Sequence, residues 1–164
     1  MKKRDKEILF QLLRNSKLSD REIAKKLNTS QSTITRTRHK LERSGIIKYY
    51  TAMPEFKKVG VGMMAFTYGK TIKPPGLVLK KVLKFVENNP NVVFAGTGEG
   101  IGMTGTMLSL HSNFSDYADF IRKFREAIEG DIQDLTSFIL PTDRIDIPFR
   151  FDKAIEHIIK KKES

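Results

Sequence analysis

"SDREIAKKLNTSQSTITRTRHKLERSG", residues 19 to 45, has the pattern of two short helices joined by a tight turn. Ser19 stands three residues before a Glu, which is the spacing of a capping box at a helix start. Asn28 tolerates the left-handed backbone that a sharp turn needs. Ser30 then provides a second N-cap, and Gly45 ends the second helix. The stretch therefore predicts a helix-turn-helix.

The second helix of this stretch is rich in hydroxyls and cations, since six of the nine residues from 29 to 37 are Ser or Thr. Thr is a mediocre helix former, so helix stability does not explain this choice. With Ile34 directed at a core, Leu41 and the stem of Arg38 fall near it, and the opposite side is polar.

Hydroxyls at a helix N-terminus can approach the floor of a DNA groove, and Arg can bond guanine twice. A solvated helix face with incidental Thr is the alternative. The residues that we expect to contact DNA are Ser30, Gln31, Ser32, Thr33, Thr35, Arg36, Arg38, His39, Lys40 and Arg43.

The sequence on either side predicts one more helix and one strand. "DKEILFQLLRNS", residues 5 to 16, places four apolar residues on one helical face behind Asp5, which we expect to be the N-cap. "IIKYYTAM", residues 46 to 53, is rich in β-branched and aromatic residues and predicts a strand, as a wing or a linker.

The net charge of +11 is concentrated in the first third of the chain. Residues 1 to 53 hold 14 Lys and Arg against 5 Asp and Glu, which gives +9, and residues 54 to 164 hold 16 against 14, which gives +2. Such a field favours a polyanionic partner, although a generic basic surface has the same charge.

Cys is absent, and the apolar runs are too short for a membrane span or a signal peptide. We expect a soluble cytoplasmic protein that has no membrane partner.

The remainder of the chain predicts strands and helices in the order βαββαβ, the ferredoxin-like arrangement. The strands are expected at 61–70, 91–100, 103–112 and 135–141. The helices are expected within 74–90 and 115–130, and their inward residues are Leu79, Val82, Leu83 and Val86 in the first and Tyr117, Phe120, Ile121, Phe124 and Ile128 in the second.

Two further elements are predicted at the C-terminal end. "RIDIPFRF", residues 144 to 151, alternates apolar and polar residues like an added edge strand, with Ile145, Ile147, Phe149 and Phe151 on one face. "DKAIEHIIKKK" predicts a terminal helix. Because a ribbon that exposes four large apolar residues is unstable alone, we expect this tail to pack on its own domain or on a partner subunit.

"GIGMTG", Gly100 to Gly105, matches the letters of a dinucleotide-binding motif, but a strand follows where such a site needs a helix. We therefore expect a loop between two strands. His39, His111 and His157 have no metal-ligand spacing, and no acid, hydroxyl and His combine in a catalytic pattern. The sequence predicts no catalytic residue, no metal and no cofactor.

The stretch from Arg4 to Gly60 resembles the Lrp/AsnC family of transcriptional regulators, and "SGIIKYYTA" and "FKKVG" are the more specific parts of the match. Asn28 stands where the family commonly has Gly, and Thr29 where it has an apolar residue. The resemblance implies an α+β protein with a winged helix-turn-helix in 1–48, a linker strand in 49–61, a ferredoxin-like (RAM-type) ligand-sensing and oligomerisation domain in 62–141, and a strand and helix extension in 142–164.

The resemblance also implies partners: double-stranded DNA, a second copy in a homodimer that can assemble into tetramers or octamers, and a small-molecule effector. The family carries a Gly-x-x-Asp element near the effector pocket, but here Glu99 is the only acid between Val92 and Ser115. We expect that the chain either senses no free amino acid or senses one through Glu99. The candidate effector residues are Gly98, Glu99, Gly100 and Gly102.

Two other functions remain open. An architectural protein that compacts DNA with little base readout needs the same charges. Sirohaem decarboxylases resemble this two-domain family and usually carry basic and His residues around the linker, where this chain has "MPEFKKVG". A sequence-specific regulator is the function that we expect.

Overall fold

The structure is a computed structural model that describes residues 1–73, 75–146 and 149–161. The described chain forms two compact units. The first consists of Met1–Met53 together with the C-terminal helix, and the second begins at Pro54. Among the described residues, no helix is both long enough and apolar enough to cross a bilayer.

The first unit begins with three helices: α1 (Lys3–Arg14), α2 (Asp20–Lys26) and α3 (Gln31–Arg43). The structure confirms the predicted local signals, namely a capping box at Ser19, an N-cap at Ser30, and positive φ at Asn28 (47°) and Gly45 (71°). It also confirms the core positions, since one cluster buries Ile8, Leu9, Leu12, Ile23, Ala24, Ile34 and Leu41. The three helices therefore position each other through one apolar core.

The predicted N-cap of α1 is wrong. The helix begins at Lys3, and its N-cap residue, Lys2, makes no side-chain capping bond. Asp5 instead lies within the first turn, only 6% exposed, and accepts a hydrogen bond of 2.6 Å from Nζ of Lys40. Asp5 therefore pairs with a residue 35 positions away in the sequence instead of capping the start of its own helix.

The predicted strand at 46–53 is also wrong. The described chain has no strand before Met63, and the linker contains only a short 3-10 helix, Phe56–Val59. A strand needs a neighbour that satisfies its backbone groups, and none lies beside this segment. Ile47 packs against the helical core instead, and its N–H donates to the carbonyl of Leu41.

The second unit confirms the ferredoxin-like order. It contains β1 (Met63–Thr71), α4 (Pro75–Glu87), β2 (Val92–Gly100), β3 (Met103–His111), α5 (Phe114–Ala127) and β4 (Ile132–Pro141). The strands form one antiparallel sheet in the order β2-β3-β1-β4. A core between the helices and one face of this sheet buries Phe85, Met107, Phe120, Phe124 and Ile128.

The two helices of this unit differ in how well their buried faces were predicted. The inward face of α5 is confirmed, since four of its five predicted residues are buried and Ile121 is half-buried. The predicted face of α4 is partly wrong: Val78 and Phe85 are buried, whereas Leu79 and Leu83 are 39% and 50% exposed. The apolar stripe of α4 is therefore wider than the surface that covers it.

The predicted loop around the glycine run is short. Gly100 and Gly105 belong to β2 and β3, and only Ile101 and Gly102 lie between the strands. Both have positive φ, 48° and 74°, as in the two-residue turns that suit antiparallel hairpins.

The terminal helix is confirmed as α6 (Phe151–Lys161), but the edge strand predicted before it is wrong. After a 3-10 helix at Thr142–Arg144, the described residues 145, 146, 149 and 150 belong to no strand, and Phe151 begins the helix. Ile147, one of the four apolar residues of the predicted strand, lies outside the described residues. The rings of Phe149 and Phe151 stack on each other, 5.8 Å apart.

Candidate nucleic-acid interface

The outward face of α3 is polar and cationic. Gln31, Ser32, Arg36, His39 and Arg43 are all exposed, and the three cationic or titratable side chains among them have no hydrogen-bond or ion-pair partner in the described part of the chain. An exposed Arg without a carboxylate partner keeps its full donor set for an anion or a base edge.

The hydroxyls at the start of α3 form a small cluster around the helix N-terminus. The Ser30 hydroxyl accepts a bond of 3.2 Å from the N–H of Thr33 and lies 3.0 Å from the hydroxyl of Ser32 and 2.8 Å from that of Thr33. The partial positive charge at this helix end favours an anion such as a phosphate.

Three residues that the sequence analysis expected to contact DNA are engaged inside the unit. Nε of Arg38 lies 2.8 Å from the Asp20 carboxylate, and its Nη2 donates to the Leu18 carbonyl at 2.8 Å. The Thr35 hydroxyl donates to Asp20 at 2.6 Å, and Lys40 pairs with Asp5. These contacts fix α3 against α1 and α2, so they position the helix.

Three acids in or beside α3 each accept a side-chain hydrogen bond: Asp5, Asp20 and Glu42. Glu42, the only acid in α3, accepts a 2.8 Å bond from the Tyr50 hydroxyl, and burial raises the pKa of Tyr50, which keeps that hydroxyl a neutral donor. The hydrogen bond from Lys40 holds the pKa of Asp5 below its usual value. The cations of α3 that have no carboxylate partner among the described residues therefore lie on its outward face.

Sequence reasoning missed the positioning roles of Asp5, Asp20 and Tyr50. Asp20 and Arg38 are 18 positions apart, and Asp5 and Lys40 are 35 apart, so helical spacing gives no signal of either pair. Only the packing of the three helices brings them together.

The predicted effector residues lie on the β2–β3 hairpin. Gly98, Glu99 and Gly100 line a hollow of about 220 Å³ with Tyr68 and neighbouring residues of β3. Gly102 lies in the turn and does not line this hollow. Glu99 is exposed and is the only charged side chain in the lining. No group of three or more His, Asp or Glu side chains suited to a metal ion occurs in the described residues.

Known proteins resemble both units. Residues 1–48 match a family model described as winged helix-turn-helix DNA-binding. Three uncharacterized HTH-type transcriptional regulators of Pyrococcus species are 33–35% identical over 97 residues, and the chain spans 64% of their lengths. The uncharacterized HTH-type transcriptional regulator PH0061 of Pyrococcus horikoshii is 30% identical over 126 residues, which cover 77% of this chain and 83% of that protein.

Solved structures extend the likeness over nearly the whole chain. The crystal structure of PH0061 superposes with a TM-score of 0.75 at 25% identity, covering 92% of this chain and 96% of that one. The regulator NMB0573 of Neisseria meningitidis, solved with L-Met, gives a TM-score of 0.82 at 20% identity and covers 96% and 99%. LrpC of Bacillus subtilis is 30% identical over 90 residues, which cover 55% of this chain and 60% of LrpC. The chain belongs to the Lrp/AsnC family of HTH-type transcriptional regulators.

Proposed function

We propose that this protein is a sequence-specific transcriptional regulator that places α3 in the major groove of double-stranded DNA. The observation that carries the proposal is the division of the cations on α3: Arg38 and Lys40 have carboxylate partners, whereas Arg36, His39 and Arg43 have none and face outward. The names of the relatives favour a regulator over an enzyme, and a cytoplasmic location remains a prediction.

The outward residues divide into two roles. Gln31, Ser32 and Arg36 lie toward the start of α3, where a recognition helix meets base edges, and a bidentate Arg favours guanine. We assign phosphate contacts to exposed cations elsewhere in the first unit, such as Lys25. Arg38, Lys40 and Thr35 serve as positioning residues in this proposal.

Replacing Arg36 with Ala tests the proposal. If Arg36 reads a base, binding to the best site weakens by about 1–3 kcal/mol and preference relaxes at one position of the site. The site is first defined by genome-wide mapping of bound DNA, and affinities are measured by fluorescence anisotropy at fixed salt.

Lys25→Ala is the matched control for Arg36→Ala. A lost phosphate contact weakens specific and random DNA alike and reduces the salt slope by about 0.9. An Arg36→Ala protein that binds its best site as tightly as the wild type contradicts the orientation that we assign to α3.

The charge of the first unit also suits an architectural protein that compacts DNA. The same titrations separate the two functions, because a regulator binds its site about a thousandfold or more tighter than random DNA. A ratio near one supports compaction.

We further propose that the protein acts as a homodimer, because one recognition helix contacts too few bases for useful discrimination.

A row of large apolar residues crosses the sheet face opposite to α4 and α5. Phe94 pairs with Leu108, Leu108 with Phe66, and Phe66 with Phe138, so that the row spans all four strands. Its outer members, Phe94 and Phe138, are 55% and 63% exposed. We also propose that dimers can assemble further into tetramers or octamers, as the family resemblance implies.

For the effector, we propose that the β2–β3 hairpin either binds no free amino acid or binds one through Glu99. NMB0573 was solved with L-Met, which makes an amino acid a reasonable test class. A buried ammonium group needs an acid, because an unpaired buried charge is costly. Glu99 is the only carboxylate that lines the hollow.

A thermal-shift screen of the twenty amino acids decides between these branches. Stabilisation that Glu99→Gln abolishes supports binding through Glu99, and no stabilisation by any amino acid supports the other branch. Stabilisation that persists in Glu99→Gln contradicts both.

A further inference from the structure

A second cavity lies on the opposite side of the sheet, under α4. Its volume is about 90 Å³. Val78 and Val82 of α4 form one wall, and residues of β1, β2 and β3, including Thr67 and Met107, form the floor. The wide apolar stripe of α4 thus overhangs a space that no described side chain fills.

The mouth of this cavity opens beside the edge strand β2. Leu79 and Leu83 of α4 and Ala95 and Thr97 of β2 line the cavity and are all exposed. Because β2 pairs only with β3 in the described sheet, no further strand lies on its other side. A small molecule can therefore reach the cavity from solvent.

The lining excludes charged ligands. It consists of aliphatic, aromatic, Met, Gly and Thr residues, with no charged side chain. The deeper hydroxyls already have partners: Thr67 lies 2.9 Å from the Ser137 hydroxyl, and Thr71 lies 3.1 Å from that of Thr104. A charged group has no counter-ion here, and burying it unpaired is unfavourable. At the exposed mouth, Thr97 can bond a polar head group.

We propose that this cavity binds a branched aliphatic group of about isobutyl size, carried by an uncharged molecule such as a short-chain alcohol or amide. The volume is smaller than the ~150 Å³ apolar cavity that accepts benzene, and a site lined almost wholly by apolar atoms does not hold water well. The polar head of the ligand lies at the mouth beside Thr97. The site is distinct from the proposed effector hollow, and it does not depend on the DNA-binding function.

The test uses the full chain and methyl NMR, with 3-methylbutan-1-ol as the probe. The methyl signals of Val78, Leu79 and Leu83 are expected to shift and to saturate, while those of Ile34 in the first unit stay in place. L-leucine and isovalerate carry the same branched group on charged molecules. They are expected to bind at least about tenfold more weakly, because their charges find no partner.

Two matched variants on the same strand localise the binding. Ala95→Leu adds three carbons at the mouth and is expected to weaken the alcohol at least about tenfold. Val93→Leu changes an exposed residue of β2 outside the cavity lining and is expected to leave binding unchanged.

Three results would overturn the proposal. They are the absence of saturable shifts at the cavity, equal binding of the alcohol and L-leucine, and equal effects of the two variants. Leu79 and Leu83 signals that change with protein concentration alone would show instead that a second copy covers the mouth.

Discussion

Arg36 and Lys40 lie one turn apart on α3, and only Lys40 has a carboxylate partner. Asp5 forms an ion pair with Lys40, and Asp20 forms one with Arg38. Counting cations along the helix therefore overstates the charge that DNA can meet, because a paired cation must give up its partner first. At the scale of single residues, two acids on the neighbouring helices select which cations of α3 remain available.

The Asp5–Lys40 pair makes the stability of the first unit depend on pH. The pKa of Asp5 is lowered, chiefly by its hydrogen bond from Lys40, so its contribution is fully present above the ordinary pKa of Asp, about 3.9. The contribution is lost as the pH falls through the lowered pKa. Asp5→Asn is expected to reduce the free energy of unfolding at pH 7 by up to about 1 kcal/mol, since the half-exposed Lys40 is screened by solvent.

Urea denaturation of both proteins between pH 2 and 7 (about the range in which carboxylates titrate) checks this expectation. The two stability curves should converge at the acid end, because Asp5 is protonated there in either state. Glu7→Gln, which changes a half-buried acid on the same helix that lies 3.7 Å from Arg4, is the control and should stay close to the wild type, because that ion pair is largely screened by solvent. Curves for wild type and Asp5→Asn that run parallel down to pH 2 would contradict the role of the pair.

At the scale of elements, α6 belongs to the DNA-binding unit, although the whole sheet unit separates it from α1–α3 in the sequence. Ile159 packs against the helical core, and the Glu156 carboxylate accepts two bonds from Arg14, at 2.7 and 2.9 Å. Lys160 bonds Glu156 and lies 5.8 Å from the centre of the Phe10 ring. The hydrogen bonds from Lys160 and Arg14 lower the pKa of Glu156, which therefore stays ionised at neutral pH.

Adjacent isoleucines of α6 test this docking. Ile159→Asp is expected to lower the free energy of unfolding of the first unit by about 1–2 kcal/mol, because a half-buried apolar side chain is replaced by a charge. Hydrogen exchange should rise in α6 and in α1, which it contacts. Ile158 is 56% exposed, so Ile158→Asp should change neither. Equal exchange in the two variants would show that α6 is not held by this contact.

Periodicity and capping residues predicted the elements whose signals are local in the sequence. The helix-turn-helix and the βαββαβ order follow from Ser19, Asn28, Ser30 and the apolar spacing. The strands expected at 46–53 and 144–151 failed because β-branched and aromatic residues favour a strand only where another strand can pair with them. The predicted buried face of α4 was partly wrong for a related reason, because tertiary packing determines how much of its apolar stripe is covered.

At the scale of the whole molecule, the chain consists of a strongly basic unit and a sheet unit without net charge. The sequence of the first unit, residues 1 to 53 and 148 to 164, holds 19 Lys and Arg against 8 Asp and Glu, which gives +11, and residues 54 to 147 hold 11 of each, which gives zero. Like charges repel, so a basic unit is poorly suited to hold two copies together without DNA, whereas an almost neutral apolar sheet face is well suited to it. The composition of the two parts thus agrees with DNA contact by one unit and self-association by the other.

The apolar row on the sheet gives the sharpest test of self-association. In a two-fold dimer any substitution occurs twice, so Phe138→Lys places two charges in the interface. It is expected to raise the dimer dissociation constant by about 100-fold or more, as followed by light scattering over a dilution series. Phe114→Lys changes another exposed Phe, 61% exposed at the start of α5, and should leave the dimer intact. If Phe138→Lys stays dimeric at the dilution where the wild type does, this face is not the interface.

Loss of the dimer should also weaken binding to a DNA site with two half-sites that lie one helical turn, or a multiple of it, apart. The affinity should fall to that of a single half-site, because one recognition helix then acts alone.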